Sequence, residues 1–474
     1  MIMAQKYHVV MLPWVAFGHM IPFLELSKSL AMKGITISYI STPRNIQRLP
    51  PIPPNLTAMI NLVKIPLAPI DGLPEMVDAT IDVPLQMVQY LKKAYDALRS
   101  PFECLVANLL PDLIVYDFAS WWAAEIAAKY EVRSAFFSVF SAASLAFLGP
   151  PLELKYGHKR TKPEDLMVVP EWVPFTSTVA HRPDQARSVF KNLKFPDGSG
   201  SSSGQRFALA FEGCDIVIIR SCREFEGEYI NLLKDLHQKP VIPVGLLPPS
   251  PSNPLIGMDS TMWSTTFEWL NQQQSNSTVF VGFGSEYKMT SEQVHELAFG
   301  LELSKMPFLW VLRKPEDTID GSDLLPNGFE ARTAGRGIVT VGWAPQLELL
   351  AHRTIGGCLF HSGWGSIVES LHYGHALILL PMMADQGLNA RLLVDKGVGH
   401  EVERNEDGSF DRGAIAKAMR HVMVDKEGEP LRQKARQMRD IFGDGELHQD
   451  YIHRFLLYFD DLKRMGHTHS LQKD

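Results

Sequence analysis

The segment HSGWGS, residues 361–366, places residues suited to anion binding at the end of an apolar run. His361 can donate a hydrogen bond in its charged or neutral form, and Ser366 adds a hydroxyl. The glycines Gly363 and Gly365 let a ligand come close to the backbone. Because a helix predicted to start here has unpaired N–H groups and a positive dipole end, the segment predicts a phosphate site.

Three other apolar runs in the second half of the chain also end in residues that can contact a nucleotide sugar. The loops after STVFVGF, GIVTVG and ALILLP offer a hydroxyl, an indole and several polar groups, and a carboxylate follows HSGWGS one helix turn later. Each feature has a simpler explanation as a tight turn, a core tryptophan or a helix cap. Four of the five predicted strand ends in this half of the chain carry this set, which favours a site for a nucleotide diphosphate sugar. The candidates are Ser285, Trp343, Gln346, Glu369, Asp385 and Gln386.

A histidine and an aspartate in the first half of the chain are candidates for a catalytic pair. His19 ends the loop PWVAFGHM, with a helix predicted to begin near Met20, and Asp117 ends the apolar run LIVYD. Such a histidine can take a proton from a hydroxyl, while an aspartate on its other ring nitrogen fixes the tautomer and stabilises the imidazolium. A lone loop histidine is more often a polar surface residue. The pairing therefore requires the ends of these two strands to approach each other.

The elements that would position these residues are short apolar runs that alternate with longer amphipathic ones. Runs that are apolar on both faces are typical of parallel strands covered by helices, and ligands of such sheets lie beyond the carboxyl ends of the strands. We therefore predict an α/β fold of two doubly wound Rossmann-like domains that face a cleft. The predicted strands are 7–13, 35–41, 113–118, 134–139 and 215–220, then 277–283, 307–313, 337–343, 356–360 and 376–381.

Proline-rich and glycine-rich stretches divide the chain. Proline at the density of PVIPVGLLPPSPSNP, residues 240–254, cannot continue a helix or a central strand. We predict an N-terminal domain at 1–245, a Pro-rich linker at 246–255, a second domain at 256–450, and a C-terminal helix at 451–474 that could pack back on the first domain. The stretch DGSGSSSGQ, residues 197–205, predicts a mobile surface loop.

Composition excludes several classes of function. The 474 residues have a formal net charge of −7, so no basic excess favours nucleic acid or an anionic membrane surface. The four cysteines form no CxxC pair, which fits reduced thiols in a reducing compartment. The apolar N-terminus is interrupted by Pro13, Gly18 and Pro22, and no apolar run reaches about 18 residues. We therefore expect a cytoplasmic protein with no stable membrane insertion.

The 44 residues from Trp343 to Gln386 resemble the signature box of plant family-1 UDP-sugar glycosyltransferases. That box begins with W-x-P-Q, continues with H-x-G-W-x-S and ends with D-Q. The matching positions are Trp343, Pro345, Gln346, His361, Gly363, Trp364, Ser366, Glu369, Pro381, Asp385 and Gln386. The resemblance implies the GT-B arrangement of two Rossmann-like domains. One position departs from the pattern, because the family usually has Asn, which helps hold phosphate or sugar, where this chain has Gly365.

The resemblance also implies a role for each matching residue. It places uracil on Trp343, with the Ala344 backbone and Gln346 at the edge of the base. It assigns the ribose to Glu369. The implied diphosphate contacts are Ser285, His361, Ser366 and the backbone around Gly363 and Gly365, and the implied sugar contacts are Trp364, Asp385 and Gln386.

The activity implied by the resemblance is inverting sugar transfer, with His19 as the base and Asp117 as its partner. The stretches PWVAFGHM and STPRNIQRLPP are similar to the branch of the family that extends sugars on flavonoids, terpenoids or saponins. Gln386 at the end of the box implies UDP-glucose as donor, with rhamnose, xylose and galactose left open. We expect a small-molecule acceptor, no metal or other cofactor, no nucleic acid and a monomeric chain. The expected acceptor contacts are Trp14, Phe17 and Phe118.

Other functions stay open from the residues alone. An aglycone O-glucosyltransferase and a non-catalytic sugar-nucleotide-binding protein share most of these features, although a binder would be expected to have lost His19 or Asp117. An epimerase or phosphorylase would need a second acid/base pair or a cofactor lysine, which we do not find in the sequence. The absence of a G-x-G-x-x-G fingerprint disfavours a nicotinamide oxidoreductase.

Overall fold

The computed structural model describes residues 7–249, 260–315 and 324–470, with the backbone alone described at 260–262 and 465–470. Residues 250–255 of the predicted linker and the predicted start of the second domain at residue 256 therefore lie outside the described residues. Among the described residues, no helix combines the length and apolarity needed to cross a bilayer.

Thirteen parallel strands form two sheets in the described chain, one of seven strands and one of six. The central strands are buried on both faces, as their uninterrupted apolar sequences predict. The strands are β1 (His8–Leu12), β2 (Thr36–Ser41), β3 (Ile60–Lys64), β4 (Leu113–Tyr116), β5 (Arg133–Ser138), β6 (Ile216–Ile219), β7 (Val241–Pro243), β8 (Thr278–Gly282), β9 (Phe308–Leu312), β10 (Gly337–Val341), β11 (Ile355–Phe360), β12 (Ala376–Leu379) and β13 (Gly399–Glu401).

Helices connect the strands, as parallel pairing requires. They are α1 (Phe17–Ala31), α2 (Pro43–Arg48), α3 (Val88–Asp96), α4 (Arg99–Leu109), α5 (Ala123–Lys129), α6 (Ala142–Leu148), α7 (Pro151–Tyr156), α8 (Pro183–Lys194), α9 (Ser203–Gly213), α10 (Arg223–His237), α11 (Ser260–Gln272), α12 (Ser291–Ser304), α13 (Phe329–Thr333), α14 (Gln346–Leu350), α15 (Trp364–His372), α16 (Gln386–Asp395), α17 (Arg412–Met423), α18 (Glu429–Phe442) and α19 (Gly445–Ser470).

The first compact unit contains the described residues up to His158, Asn192–Leu247 and the residues from Asp444 onward. Its sheet has the order β3-β2-β1-β4-β5-β6-β7. The C-terminal helix α19 belongs to this unit, because its apolar side chains join the same core as those of β1 and α1. These side chains are Ile452, Phe455 and Phe459.

The second compact unit contains Lys159–Lys191 and the described residues from 260 to Gly443. Its sheet has the order β10-β9-β8-β11-β12-β13. The segment Lys159–Lys191 comes from the first half of the chain but contacts α16 and β13. The Thr178 backbone N–H donates to Asp395 at 2.8 Å, and Arg182 donates to Glu401 at 3.1 Å.

The structure differs from the sequence prediction at the sheet edges and at the unit boundaries. The strands β3, β7 and β13 were not predicted, and each is a short edge strand. Pro243 is tolerated in β7 because an edge strand has no neighbour on one side that needs its missing N–H. The units also differ from the predicted domain limits, since Lys159–Lys191 belongs to the second unit and the C-terminal helix begins at Gly445.

Candidate active site

His19 lies in the first turn of α1, which begins at Phe17 and not near Met20 as predicted. The chain enters the helix through a turn in which the His19 backbone N–H donates to the Ala16 carbonyl at 2.9 Å. Gly18 had indicated a loop, but it lies exposed in this first turn with nothing near its missing Cβ. The early helix start fixes the direction of the His19 side chain.

His19 and Asp117 form the pair expected from the sequence. The strands β1 and β4 are neighbours, with Leu12 opposite Tyr116, so their carboxyl ends meet. The distance from His19 Nδ1 to Asp117 Oδ2 is 2.8 Å. A carboxylate can only accept, so Nδ1 donates and Nε2 is the ring nitrogen that can take a proton.

The Asp117 carboxylate is buried and held by the backbone. Its side chain is 1% exposed, compared with 13% for His19. The backbone N–H groups of Trp14 and Phe118 donate to it at 3.1 and 2.7 Å. Three donors therefore keep the carboxylate in one orientation, which is what a residue that orients a base requires.

Aromatic rings surround this pair. The His19 ring contacts Phe140 edge-on at 5.4 Å and lies 5.7 Å from the Phe118 ring. Phe118 in turn stacks on Phe207 of α9 at 4.6 Å. The sequence did not single out Phe140 or Phe207. Phe140 follows the apolar run of β5, but Phe207 reaches the pair only through tertiary packing.

The three residues expected to contact the acceptor occupy different places. Trp14 and Phe118 lie near the pair, with ring centroids 6.4 Å apart, and Trp14 also packs edge-on against Tyr95 at 5.1 Å. Phe17 belongs to the apolar core of the first unit. All three side chains are buried, with exposed fractions of 8% or less.

In the second unit, His361 follows β11 directly and its ring lies between two glycines. A Cβ on Gly284 would lie 2.8 Å from His361 Cε1, and a Cβ on Gly363 would lie 2.6 Å from Nε2. Both distances are shorter than a carbon contact allows, and Gly284 also has a φ of +68°. The glycines of the two motifs GSE and HSG are therefore needed to let this imidazole come between the ends of β8 and β11.

Burial decides the charge of His361, which the sequence left open. Removal from solvent lowers the pKa of His361 to about 4, and a contact with the Gly282 backbone only partly opposes this shift. The ring is therefore neutral near pH 7. Without a bound anion, His361 therefore offers a hydrogen bond and not a positive charge.

The start of α15 provides backbone donors next to this ring. Its N-cap residue is Gly363, which has no side chain to occupy the N–H groups of the first turn. Trp364, Gly365 and Ser366 are the first residues of the helix, so Gly365 has a helical backbone. The Trp364 side chain is buried, with 4% exposed. Ser285 follows Gly284 in the neighbouring loop, and its hydroxyl lies 3.5 Å from Glu286 Oε1.

The base and ribose candidates are also brought together. Trp343 is 57% exposed, and the Arg313 guanidinium lies 4.3 Å from its ring centroid. The guanidinium covers part of the indole, so the planar group is held in place while much of it stays accessible. Gln346 Nε2 donates to Glu369 Oε2 at 2.5 Å, and the Gln346 backbone N–H donates to the Ala344 carbonyl at 2.8 Å. Arg313 was not singled out from the sequence.

The loop between β12 and α16 holds Asp385 and Gln386. The Gln386 Oε1 accepts the Met382 and Met383 backbone N–H groups at 2.8 and 2.9 Å, so the amide is fixed by its own loop. Asp385 is the N-cap residue of α16, but its side chain makes no capping hydrogen bond there. Its Oδ2 instead accepts from Asn389 Nδ2 at 2.8 Å. Asn389 was not singled out from the sequence, although it lies one helix turn after Asp385.

Comparison with known proteins gives one consistent result. The family profile described as UDP-glucoronosyl and UDP-glucosyl transferase matches residues 259–431. The chain is 45% identical to UDP-glycosyltransferase 91C1 of Arabidopsis thaliana, over 94% of this chain and 95% of that protein. It is 41% identical to the soyasaponin III rhamnosyltransferase of Glycine max, over 95% and 94%. The crystal structure of UGT73P12 from Glycyrrhiza uralensis, complexed with glycyrrhetinic acid 3-O-monoglucuronide, superposes with a TM-score of 0.80 at 21% identity, covering 99% of both chains.

Proposed function

This chain belongs to the family of plant UDP-glycosyltransferases, and we propose that it moves a hexose from UDP to a hydroxyl of a small molecule that already carries a sugar. Glucose is the first candidate for the hexose, because the signature box ends in Gln386. The name of the Glycine max relative describes rhamnosyl transfer to a saponin, which supports a glycoside acceptor and makes rhamnose the second candidate. The GT-B fold is shared with the solved plant enzymes.

The observation that carries the proposal is the His19–Asp117 pair, joined at 2.8 Å. His19 Nε2 takes the proton of the acceptor hydroxyl while the hydroxyl oxygen bonds to the anomeric carbon. The bond from that carbon to the diphosphate breaks, and UDP leaves with the electron pair from the opposite face. An α-linked donor therefore gives a β-linked product. Asp117 keeps the proton on Nδ1 and stabilises the imidazolium that forms.

The donor is held by the second unit in this proposal. Uracil stacks on Trp343, while Gln346 and Glu369 contact the edge of the base and the ribose. Asp385 and Gln386 contact the sugar. The hydrogen bond from Gln346 to Glu369 supports this assignment, because it places the base and ribose contacts side by side.

The leaving diphosphate is stabilised without a metal ion in this proposal. The N-terminus of α15, the neutral His361 and the hydroxyls of Ser366 and Ser285 supply hydrogen-bond donors where negative charge develops. Gly363 and Gly365 let the phosphates approach the backbone. Activity that is unchanged after dialysis against EDTA supports this part of the proposal, and activity restored only by Mg²⁺ or Mn²⁺ contradicts it.

The test is a transfer assay with defined donors and acceptors. The full chain is incubated with UDP-glucose, UDP-rhamnose, UDP-xylose or UDP-galactose and with matched pairs of aglycones and their monoglucosides, and product masses are measured. We expect one hexose to be added to the monoglucosides, with the His19→Ala variant as the inactive control. Transfer to aglycones alone contradicts the acceptor class. UDP binding by calorimetry without any transfer contradicts the activity and favours a sugar-nucleotide-binding protein.

A further inference from the structure

Two loops of the donor site contain residues in a backbone conformation that L-amino acids rarely adopt. Ser362 has a φ of +63° in the loop after β11, and Ala384 has a φ of +54° in the loop after β12. Such conformations persist only where the surrounding contacts hold them. The strands β11 and β12 are neighbours, so the two loops lie side by side at the carboxyl edge of the sheet.

The Asn389 side chain connects these two loops. Asn389 in the first turns of α16 is fully buried. Its Nδ2 donates to the Ser362 carbonyl at 3.1 Å and to Asp385 Oδ2 at 2.8 Å. The amide thus uses its two N–H bonds to join the diphosphate loop to the carboxylate of the sugar loop.

The same contact explains the orientation of Asp385. An aspartate at a helix N-cap ordinarily accepts a backbone N–H of the first turn. Asp385 does not, and its carboxylate is directed to Asn389. The Asp385 carboxylate does not cap α16, so its orientation is not explained by the stability of that helix.

We propose that Asn389 is a positioning residue for sugar recognition, which sets the Asp385 carboxylate and ties it to the loop of His361 and Ser362. The inference rests on the proposed function, in which these loops hold a UDP-sugar. Asn389 bonds both loops, but its bond to the Asp385 carboxylate is shorter than its bond to the Ser362 carbonyl and involves a charged acceptor. Its loss should therefore affect recognition of the sugar more than binding of UDP.

The experiment compares the full chain with its Asn389→Leu variant, which keeps the number and branching of the side-chain heavy atoms and removes the donor. We expect kcat/KM for the preferred UDP-sugar to fall about 10- to 100-fold, as for a lost hydrogen bond to a charged group, while the Kd of UDP alone changes less than about threefold. The variant should also discriminate less between UDP-glucose and UDP-galactose. The matched control is Asn405→Leu, which removes an exposed asparagine bonded to Ser409 in the same unit and should change neither quantity.

A double-mutant cycle shows whether Asn389 acts through Asp385. If it does, Asn389→Leu has little further effect on sugar discrimination in an Asp385→Ala background. Equal losses of UDP and UDP-sugar affinity, or additive effects in the cycle, overturn the proposal. The smaller Asn389→Ala variant also removes the donor and gives the same test if the leucine variant does not fold.

Calorimetry separates this proposal from the proposed function. If the wild-type chain transfers no sugar, the transferase proposal fails, but the affinity difference between UDP and UDP-glucose still reports on Asn389. A difference that is the same in wild type and Asn389→Leu contradicts the positioning role.

Discussion

The two units each place a histidine near the carboxyl end of a parallel strand, but they prepare it for opposite tasks. Both histidines are partly exposed, but His19 after β1 is bonded to a buried carboxylate. His361 after β11 lies between two glycines, where desolvation by the atoms packed around the ring lowers its pKa to about 4. The immediate neighbours of each ring, and not its place in the fold, therefore determine which hydrogen bonds the imidazole makes and how readily it is charged.

Removing the first histidine is expected to have the largest effect. His19→Ala should lower kcat/KM by about 10²- to 10⁴-fold, the usual contribution of a general base. Asp117→Asn should also lower it strongly, because an amide no longer fixes the Nδ1–H tautomer. Steady-state kinetics with calorimetry for UDP makes the measurement, and UDP affinity should be unchanged in both variants. Full activity of His19→Ala would mean that the two histidines do not differ in the way described.

Replacing a glycine with alanine next to each histidine tests how closely the two imidazole rings are enclosed. Gly363→Ala should displace His361, since the new Cβ would lie 2.6 Å from Nε2, and we expect the Kd of UDP to rise at least about tenfold. The matched control is Gly18→Ala beside His19, where nothing lies near the missing Cβ. An alanine there should keep the melting temperature or raise it slightly, because glycine weakens a helix by about 0.5–1 kcal/mol. If the two variants bind UDP equally well, His361 is not more closely enclosed than His19.

The charge of His361 gives a prediction about pH. Its pKa is lowered from its ordinary value to about 4 in the folded chain, so the unfolded chain binds the proton first as the pH falls. Folding stability should therefore be lost between about pH 6.5 and pH 4, with a contribution on the order of 1–2 kcal/mol from this ring between pH 7 and pH 5. Thermal unfolding of wild type and His361→Gln at both pH values makes the measurement. The variant should lose less stability on acidification, and an equal loss would show that His361 is not held neutral.

The smallest effect is expected at Gly365. Its helical backbone and partial exposure allow an asparagine, so Gly365→Asn should fold with an unchanged melting temperature. The new amide lies in the first turn of α15, where it can reach a phosphate or sugar. We expect a change of about two- to tenfold in the KM for UDP-sugar or in donor preference. An unfolded variant with normal donor kinetics in its folded fraction would mean that Gly365 serves backbone geometry.

The parts of the fold that the sequence predicts are those that depend on local pattern. Buried central strands such as β4 and β11 are continuous apolar runs, so their positions follow directly from the sequence. The edge strands β7 and β13 do not follow, because each has only three residues. The edge strand β3 does not follow because Asn61 and Lys64 interrupt its apolar residues. The stretch 197–205 is a second region whose structure the local sequence did not predict. Its glycines and serines predicted a mobile loop, but Lys92 bonds Asp197 at 2.8 Å and α9 begins at Ser203.

The candidate site shows a similar division. The residues proposed to contact a ligand directly were predicted from motifs, because their chemistry and spacing are visible in the chain. Arg313 and Asn389 were not found, since each acts on another side chain and only the folded structure brings the partners together. The neutral state of His361 is also a property of its burial, which no local sequence specifies.

The path of the chain has a consequence for recombination between relatives. The polypeptide leaves the first unit after His158, returns at Asn192, leaves again after Leu247 and returns at Asp444. A single crossover near residue 247 would therefore combine α19 from one parent with the β1 and α1 surface of the other, and their shared core would have to match at Ile452, Phe455 and Phe459. Exchange of the second unit between two such enzymes requires its two segments, Lys159–Lys191 and Pro248–Gly443, to be moved together. Neither half of the chain is by itself an interchangeable module.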